Sequence, residues 1–421
     1  MGAGPAGLAA ALSLQQQTNI SCTVYELRSE LTTLGGAIGI QPNGLRLLHR
    51  LGVYDAFAAH GWSASTSMTL HSLSGHDVGS LDMAGWAKEK TGFGYMRIKR
   101  MDIVSILLEA VERAGISIHF GKKLVKTENF EEATAAGKRG GVRVTFEDGS
   151  TDQADILLGC DGIHSFVRRS YVDPDHEPEY SGTSGLGAVV PSSVLSPATV
   201  EQVQGFEGTL TEDGMLAVNP CLPNKEELFM FFSKWVPLPE SGHSRDGWEL
   251  HRKEEVDGFK EQLLSTLGHA QGDWGNALRD LVHNTSTVNF YPVYRLPLGG
   301  RWSRGRCVLV GDAAHAMSPH AGQGVSMALE DVFLLSRLLA DPERPIEEVF
   351  AKYDHIRRPR VNEIFEMAAS NAQMRKKTTH RGLYLKELKF HTMLNVAWVF
   401  GLDKKGIRQG HLVYDIDEVP L

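Results

Sequence analysis

The chain of 421 residues holds only four cysteines, Cys22, Cys160, Cys221 and Cys307. They lie far apart, with no C-x-x-C pair and no metal-ligand spacing. Disulfide exchange, a disulfide framework and a zinc site are therefore not expected; the thiols read as buried and free, in a reducing, cytoplasmic setting. Surplus basic charge is also missing. Lys and Arg number 43 against 51 Asp and Glu, a formal net charge of −8, which argues against nucleic acid or an anionic membrane as the main partner. No apolar run approaches the roughly 20 residues of a membrane span, and mean hydropathy is −0.20. The run Met393–Phe400 reads as a core helix. The N-terminus lacks the basic and apolar regions of a signal peptide. Internal repeats and low-complexity tracts are absent. What the chain has in quantity is glycine, 44 residues, and their placement carries the information.

The first residues, Met1-Gly2-Ala-Gly4-Pro-Ala-Gly7-Leu8, form a G-x-G-x-x-G that opens an apolar helical stretch. A β-branched and aromatic strand, Ile20–Tyr25, follows and ends in Glu26. A dinucleotide site needs these parts in this order: Gly2 for a tight turn, Gly4 for close approach to a pyrophosphate, Gly7 for close packing of helix on sheet. The helix N-terminus presents amide groups and a positive dipole end to phosphate, and Glu26 falls about 20 residues on, where a ribose hydroxyl needs an acceptor. One part is absent. Only Met1 precedes the fingerprint, where a buried parallel strand belongs. The chain as written is therefore expected to lack the first, central strand of the sheet, unless another segment fills its place.

Two further constellations repeat the strand–turn–helix pattern. In Ala154-Asp-Ile-Leu-Leu-Gly-Cys160-Asp161-Gly162 an apolar strand runs into Asp-Gly. In Arg306-Cys-Val-Leu-Val-Gly311-Asp312-Ala-Ala-His315, followed by Pro319-His320-Ala-Gly322-Gln-Gly324-Val325, a strand enters Gly-Asp and a glycine-rich loop opens a long apolar helix. A carboxylate at the carboxyl end of a parallel strand is placed to accept hydrogen bonds from a polyol. The amides of Gly322 to Val325 suit an electron-rich ring oxygen or a phosphate.

With these three motifs in this order, the sequence from Gly2 to about Arg360 resembles the single-component flavin-dependent aromatic hydroxylases, such as p-hydroxybenzoate and salicylate hydroxylases, and most resembles their fungal salicylate-hydroxylase-like branch, which includes enzymes of secondary metabolism acting on polyketide phenols. The resemblance implies an α/β fold: a Rossmann-like FAD-binding domain (1–64, 96–177, 291–345) interrupted by a mostly antiparallel substrate-binding sheet domain (65–95, 178–290), then a C-terminal helical region (346–421). It implies FAD bound at Gly2, Gly4, Gly7 and, for the adenosine ribose, Glu26. Ala37 and Gly39, in the run Gly35–Asn43, would lie near the flavin ring or ribityl chain. Arg100, with Arg97 the lesser candidate, would reach the ribityl–pyrophosphate region. Asp161 and Gly162 would serve both FAD and the nicotinamide donor. Asp312 would bind the ribityl chain, Pro319 would lie at the reactive edge, Gly322 would be a further FAD-binding residue of the loop, and Gly324 with Val325 would face the pyrimidine side.

By the same resemblance, NADPH or NADH reduces FAD, dioxygen adds to give a C4a-hydroperoxide, and the terminal oxygen passes to an electron-rich aromatic small molecule. The alternatives left open are a flavin epoxidase or other oxidative tailoring enzyme, and a non-catalytic truncated remnant. No metal is implied, and the oligomeric state is left open. Catalytic residues are not assigned; His320, Tyr291 and Tyr294 are the candidates, while His315 reads as a structural hydrogen-bonding residue. In Tyr180-Ser-Gly182-Thr-Ser-Gly-Leu186-Gly187, glycine stands where relatives carry a phenolate-stabilising arginine. On Glu227–Trp235, alternation groups Phe229, Phe231 and Ser233 on one face and Met230, Phe232 and Lys234 on the other, with the pocket-facing set undecided. Residues 131–141 read as a hairpin tip and 237–258 as a surface loop. The runs Arg357–Arg360 and Arg375–Lys377 read as solvated helix faces.

Overall fold

The computed structural model describes residues 1–31, 36–134, 137–238, 245–402 and 404–421. Gly35 and residues 239–244 therefore lie outside the described residues. The first helix, α1 (Pro5–Gln17), begins with proline at its first position, where the missing N–H costs nothing, and runs through small and apolar residues on all sides. Such a helix can only be buried, and Gly7 through Leu14 are all covered.

The parallel layer beneath α1 comes in two pieces. Strand β1 (Thr23–Tyr25) pairs in parallel with β6 (Ser117–His119). Strand β10 (Leu157–Gly159) pairs in parallel with β17 (Cys307–Leu309), and β16 (Ser303–Arg304) closes that edge. Met1 and Gly2 stand between the pieces. The Met1 ammonium donates to the Leu158 carbonyl at 2.8 Å and the Met1 carbonyl accepts from Cys160 N at 2.8 Å, while Gly2 N donates to the Tyr25 carbonyl at 2.7 Å. These two residues occupy the last rungs of the central position that the sequence left without a strand.

A seven-stranded sheet stands over this layer. Its members are β3 (Ser67–His71), β4 (Asp77–Asp82), β11 (Glu179–Pro191), β12 (Phe206–Leu210), β13 (Gly214–Pro220), β14 (Glu227–Trp235) and β15 (Asn289–Arg295), in the order β15-β11-β14-β13-β12-β3-β4. All pairs are antiparallel except β12 with β3. Alternation resolves cleanly on β14. Met230 and Phe232 pack into a core with Phe259 and Leu278, and Lys234 Nζ donates to Gln262 Oε1 at 2.9 Å. Phe229, Phe231 and Ser233 point the other way, into the cleft described below. A ribbon of β2 (Ala37–Ile40) and β5 (Met96–Lys99) and a meander of β7 (Leu124–Thr134), β8 (Gly137–Phe146) and β9 (Thr151–Ala154) complete the strands. The β7–β8 pairing carries the expected hairpin up to Thr134 and Gly137; residues 135 and 136 lie outside the described residues.

Of the remaining helices, α2 (Pro42–Arg50), α3 (Arg100–Arg113), α4 (Arg245–Leu267), α5 (Gly272–His283), α6 (Gly324–Leu339), α7 (Ile346–Gln373) and α8 (His380–Val399) matter here. Three expectations are corrected. Residues 245–258 belong to helix α4, whose later turns bury Phe259, Leu263 and Leu267 behind the seven-stranded sheet; an apolar anchor C-terminal to the polar stretch carries the helix back through it. Arg357 and Arg360 are not solvated. Arg357 is fully buried and donates to Glu330 Oε2 at 2.6 Å and Asp331 Oδ1 at 2.8 Å, and Arg360 reaches Glu330 Oε1 at 3.3 Å; buried carboxylates on α6 draw them inward. The run Met393–Phe400 is core only at its start, where Leu394 is buried and Met393 packs beside it; Trp398 is 75% exposed and Phe400 63%. Beyond α8 the chain returns to α2, where Asp415 accepts from Arg46 at 2.7 Å and from Arg50 at 2.6 Å. No helix among the described residues is long and apolar enough to cross a membrane.

Candidate active site

The loops that leave the carboxyl ends of the parallel strands converge on one cleft, as loops in open α/β layers do. Two glycines set its narrow end by contact. A Cβ on Gly7 would stand 1.9 Å from the Gly2 carbonyl oxygen, and a Cβ on Gly2, whose φ is +98°, would stand 2.5 Å from the Cys160 carbonyl oxygen. Helix α1 can thus press its N-terminus against the strand ends only with hydrogen at both positions. Gly4 has open space where a Cβ would be, and no side chain caps α1. Its first-turn amides are left for a ligand. After β1, Glu26 Oε2 accepts from Ala3 N at 2.8 Å and Oε1 from Arg28 N at 3.0 Å. That fixes the carboxylate while leaving acceptor capacity on both oxygens.

After β10, Asp161 Oδ2 accepts from the amides of Phe166 at 2.7 Å and Val167 at 3.1 Å, while its Oδ1 is buried without a partner. A buried, unpaired carboxylate oxygen at the mouth of a cleft is the signature of a ligand hydroxyl or amide donor. After β17, Gly311 takes φ +61° and turns the chain into Asp312. Asp312 is enclosed by protein but faces the cleft, and burial raises its carboxyl above the usual range against the pull of His315 and Arg100. The loop is anchored from α6, since Asp331 Oδ2 accepts from Gly311 N at 2.9 Å and contacts His315 Nε2 at 2.7 Å. His315 is accordingly structural. Burial alone would raise Asp331, but His315 and Arg357 outweigh it and hold the carboxyl at about 2.

The loop from Pro319 to Val325 forms the opposite wall. Gly322 sits at φ +62°, Gly324 has open space at its Cβ position, and α6 starts without a side-chain cap. His320 Nε2 is buried and unpartnered, and burial, with Arg375 nearby, pushes the imidazole down to about 3. It is therefore neutral at pH 7. Ala37, Gly39 and Arg100 lie along the β2–β5 ribbon and the start of α3, and Arg100 N donates to the Gly36 carbonyl at 3.0 Å. Arg97 lines the same wall, donating to the Ala37 carbonyl at 3.3 Å. Tyr291 and Tyr294 enter from β15. The Tyr291 hydroxyl is 3.6 Å from where a Gly36 Cβ would lie, and Tyr294 packs against Tyr180 and His164.

Every candidate residue lines this cleft except Gly7, which packs behind it. Its volume, ≈ 1770 Å³, exceeds the several hundred to 1,000 Å³ of a usual small-molecule pocket, which is room for a dinucleotide and a second molecule together. Beyond the loops the lining becomes aromatic and aliphatic on the seven-stranded sheet. The glycines of β11 have a steric role there. A Cβ on Gly185 would meet the Phe231 ring at 2.2 Å, and one on Gly187 would meet Phe229 at 3.2 Å. The rings of β14 fill the space that a long side chain on β11 would need. Among the described residues no cluster of His, Cys, Asp and Glu is arranged to hold a metal.

Several functional residues had no sequence signal. Arg168 is buried and donates to the carbonyls of Ile163 at 2.6 Å and Ala313 at 2.9 Å, stapling the second motif to the third. Asn43 Nδ2 donates to Gln323 Oε1 at 3.0 Å and Glu330 Oε1 at 2.7 Å, fixing the start of α6. Arg375, read from the sequence as part of a solvated helix face, instead lines the cleft from the turn beyond α7 with its Nε buried. Only Asn43 could have been suspected, as the polar end of the Gly35–Asn43 run.

A dinucleotide cradle joined to an aromatic-lined chamber defines a nucleotide-cofactor enzyme of the flavoprotein type. Residues 1–368 match the model of the family described as FAD binding domain, and the chain belongs to that family. Among its relatives are the 3-amino-4-hydroxybenzoate 2-monooxygenase of Streptomyces cremeus, 30% identical over 89% of this chain and 86% of that one, and the 6-hydroxynicotinate 3-monooxygenase of Pseudomonas fluorescens, 30% identical over 96% and 94%. The crystal structure of a Klebsiella pneumoniae HpxO variant complexed with FAD superposes with TM-score 0.76, at 25% identity over 95% of this chain and 96% of that one.

Proposed function

We propose that this chain is an FAD-dependent monooxygenase that uses NADPH or NADH and dioxygen to hydroxylate an aromatic small molecule. The observation that carries the reading is the continuity of the cleft. Dinucleotide-type loops at one end open directly onto an aromatic-lined sheet face at the other, so a cofactor and an aromatic ring share one enclosed space. When bound, FAD supplies the redox and oxygen chemistry; the chain binds, orients and excludes water. Gly2, Gly4 and the start of α1 would take the pyrophosphate, Glu26 the adenosine ribose, and Arg100 and Asp312 the ribityl end. Asp161 and Gly162 would serve FAD and the nicotinamide donor. Ala37, Gly39, Pro319, Gly322, Gly324 and Val325 would surround the flavin ring. Phe229 and Phe231 cover the chamber with apolar surface and keep water from the reacting centre. His320, neutral and with a free Nε2, is placed to accept a hydrogen bond from a substrate hydroxyl and raise the ring's nucleophilicity; Tyr291 is the second candidate for that contact.

The same reading divides the chain into a cofactor region (1–64, 96–177, 291–345), a substrate sheet (65–95, 178–290) and a C-terminal helical region (346–421). It places the protein in the cytoplasm, where the nicotinamide pool lies and where four free cysteines persist. Assignment to the fungal salicylate-hydroxylase-like branch rests on the sequence resemblance; the two monooxygenases above are bacterial. Named substrates of relatives suggest 6-hydroxynicotinate and 3-amino-4-hydroxybenzoate for the test panel, and the sequence resemblance adds salicylate. The FAD-loaded protein should oxidise NAD(P)H faster with at least one hydroxylated ring acid, with a product one oxygen heavier on the ring. A product carrying an epoxide would favour the tailoring-epoxidase alternative. Protein that takes up no FAD would leave only a binding remnant.

A further inference from the structure

The turn that follows α7 brings a guanidinium into the cleft. Arg375 lines the chamber together with Asn371 and His320. Its Nε is buried without a hydrogen-bond partner, and its one hydrogen bond, from Nη1 to the Asn371 carbonyl at 2.7 Å, stays within its own turn. Among the described residues it forms no ion pair. Its position is set from two sides. Asn371 Nδ2 donates to the His320 carbonyl at 3.0 Å, tying the end of α7 to the loop at Pro319. Thr378 N donates to the Glu212 carbonyl at 2.7 Å, and Lys377 pairs with Asp213 at 3.2 Å, tying the same turn to the β12–β13 hairpin. Arg375 is thus held between the loop that carries His320 and the sheet that covers the chamber.

A buried cation without a counter-charge is expensive, and its usual compensation is a carboxylate or another anion. Burial lowers the Arg375 guanidinium to about 10, the direction expected of a cation held without a partner. The seven strands of the large sheet contribute no Lys or Arg to the cleft lining, so the chamber's roof offers an anion no cation. The nearby Lys386 has its ammonium committed to the Met374 carbonyl at 3.0 Å. Arginine is also the better receptor, because its fork matches the two oxygens of a carboxylate. We propose that Arg375 is the substrate's anion-binding residue: its guanidinium takes an oxyanion of the aromatic substrate, a ring carboxylate or a phenolate, beside His320, with Asn371 as the positioning residue. The inference rests on the hydroxylase reading above.

The test follows the absorbance of bound FAD while 2-, 3- and 4-hydroxybenzoate, the matching hydroxybenzamides and the matching methoxybenzoates are added to the FAD-loaded wild type and to Arg375→Met. The wild type should bind at least one hydroxybenzoate more tightly than its amide. R375M should retain FAD, weaken that acid by about 30-fold or more, and bind acid and amide alike. If the oxyanion is the phenolate, R375M weakens acid and amide equally and leaves the methoxybenzoates unchanged. Should R375M lose FAD, Arg375→Lys carries the test, with FAD retained and acid still preferred at about tenfold weaker affinity. Unchanged affinities in the variant overturn the assignment, as does a wild type that perturbs its flavin with no hydroxylated probe. Failure of the wild type to take up FAD at all sinks the hydroxylase reading instead, so the two failures are separable.

Discussion

At the scale of single residues, the site depends on atoms that are not there as much as on those that are. Gly7 must lack a Cβ because the Gly2 carbonyl lies 1.9 Å from where it would be. Gly7→Ala should push α1 off the strand ends, lower stability by about 3 kcal/mol and abolish FAD retention; thermal unfolding and the flavin absorbance of the purified variant check both. This glycine was legible in the sequence, since the fingerprint assigns each glycine a steric task. Arg168 and Arg375 were not, because an arginine's partners lie far along the chain and charge runs default to solvent. His320 gives a prediction in pH. Its folded value, about 3, lies below its ordinary 6.5, so between these values the unfolded chain binds a proton that the folded chain does not. Stability should therefore fall as pH drops from about 6.5 towards 3, with a slope of up to about 1.4 kcal/mol per pH unit. Denaturant unfolding of the FAD-free protein should show that slope, and His320→Gln should reduce it without abolishing it, because burial also lowers His411, to about 4.

Among elements, α6 bears the most. Its N-terminus faces the cleft, and its first turns carry Glu330 and Asp331, which meet Arg357 from α7, His315 from the third motif and Asn43 from α2. Arg357→Leu removes the cation shared by two buried carboxylates, leaving Glu330 with Arg360 and Asn43 and Asp331 with His315 and Gly311, and should cost about 4 kcal/mol, read as a lowered thermal midpoint. The acid limb should move as well. Asp331 is held at about 2, below an ordinary carboxyl near 3.9, so its contribution is complete above about pH 4 and is lost as pH falls through about 2. R357L should begin acid unfolding at higher pH than the wild type. On the sheet, Gly185→Val would drive a side chain into the Phe231 ring; it should reshape the chamber and weaken aromatic ligands while FAD content stays at the wild-type level. Alternation on β14 was readable as two faces, but which face met the chamber was decided by α4 and α5, which cover the other side. Helix α4 itself was masked by its polar first half, which matches the composition of a loop.

At the scale of the whole molecule, the parallel layer is two half-sheets joined through Met1 and Gly2. Glu26 stands on one half and Asp161 and Asp312 on the other, so a ligand that engages all three is itself a cross-link. FAD in large excess over its Kd should stabilise the protein by about 4 kcal/mol, and amide exchange should slow in both halves, at His119 and at Val310 alike; protection confined to one half would contradict this. Fold class and cofactor were legible because they rest on local motifs. The closure of the chain was not, because it rests on a pairing across the full length. Asp415 grips Arg46 from 369 residues away. At the 5–20 residues per second of synthesis, α2 therefore waits roughly 20–70 s for the residue that pins it. A nascent chain can assemble its cofactor loops early, but α2 is pinned only after the segment that carries Asp415 has been made, so the cofactor loops and the contact that clamps the helix behind them mature at different times.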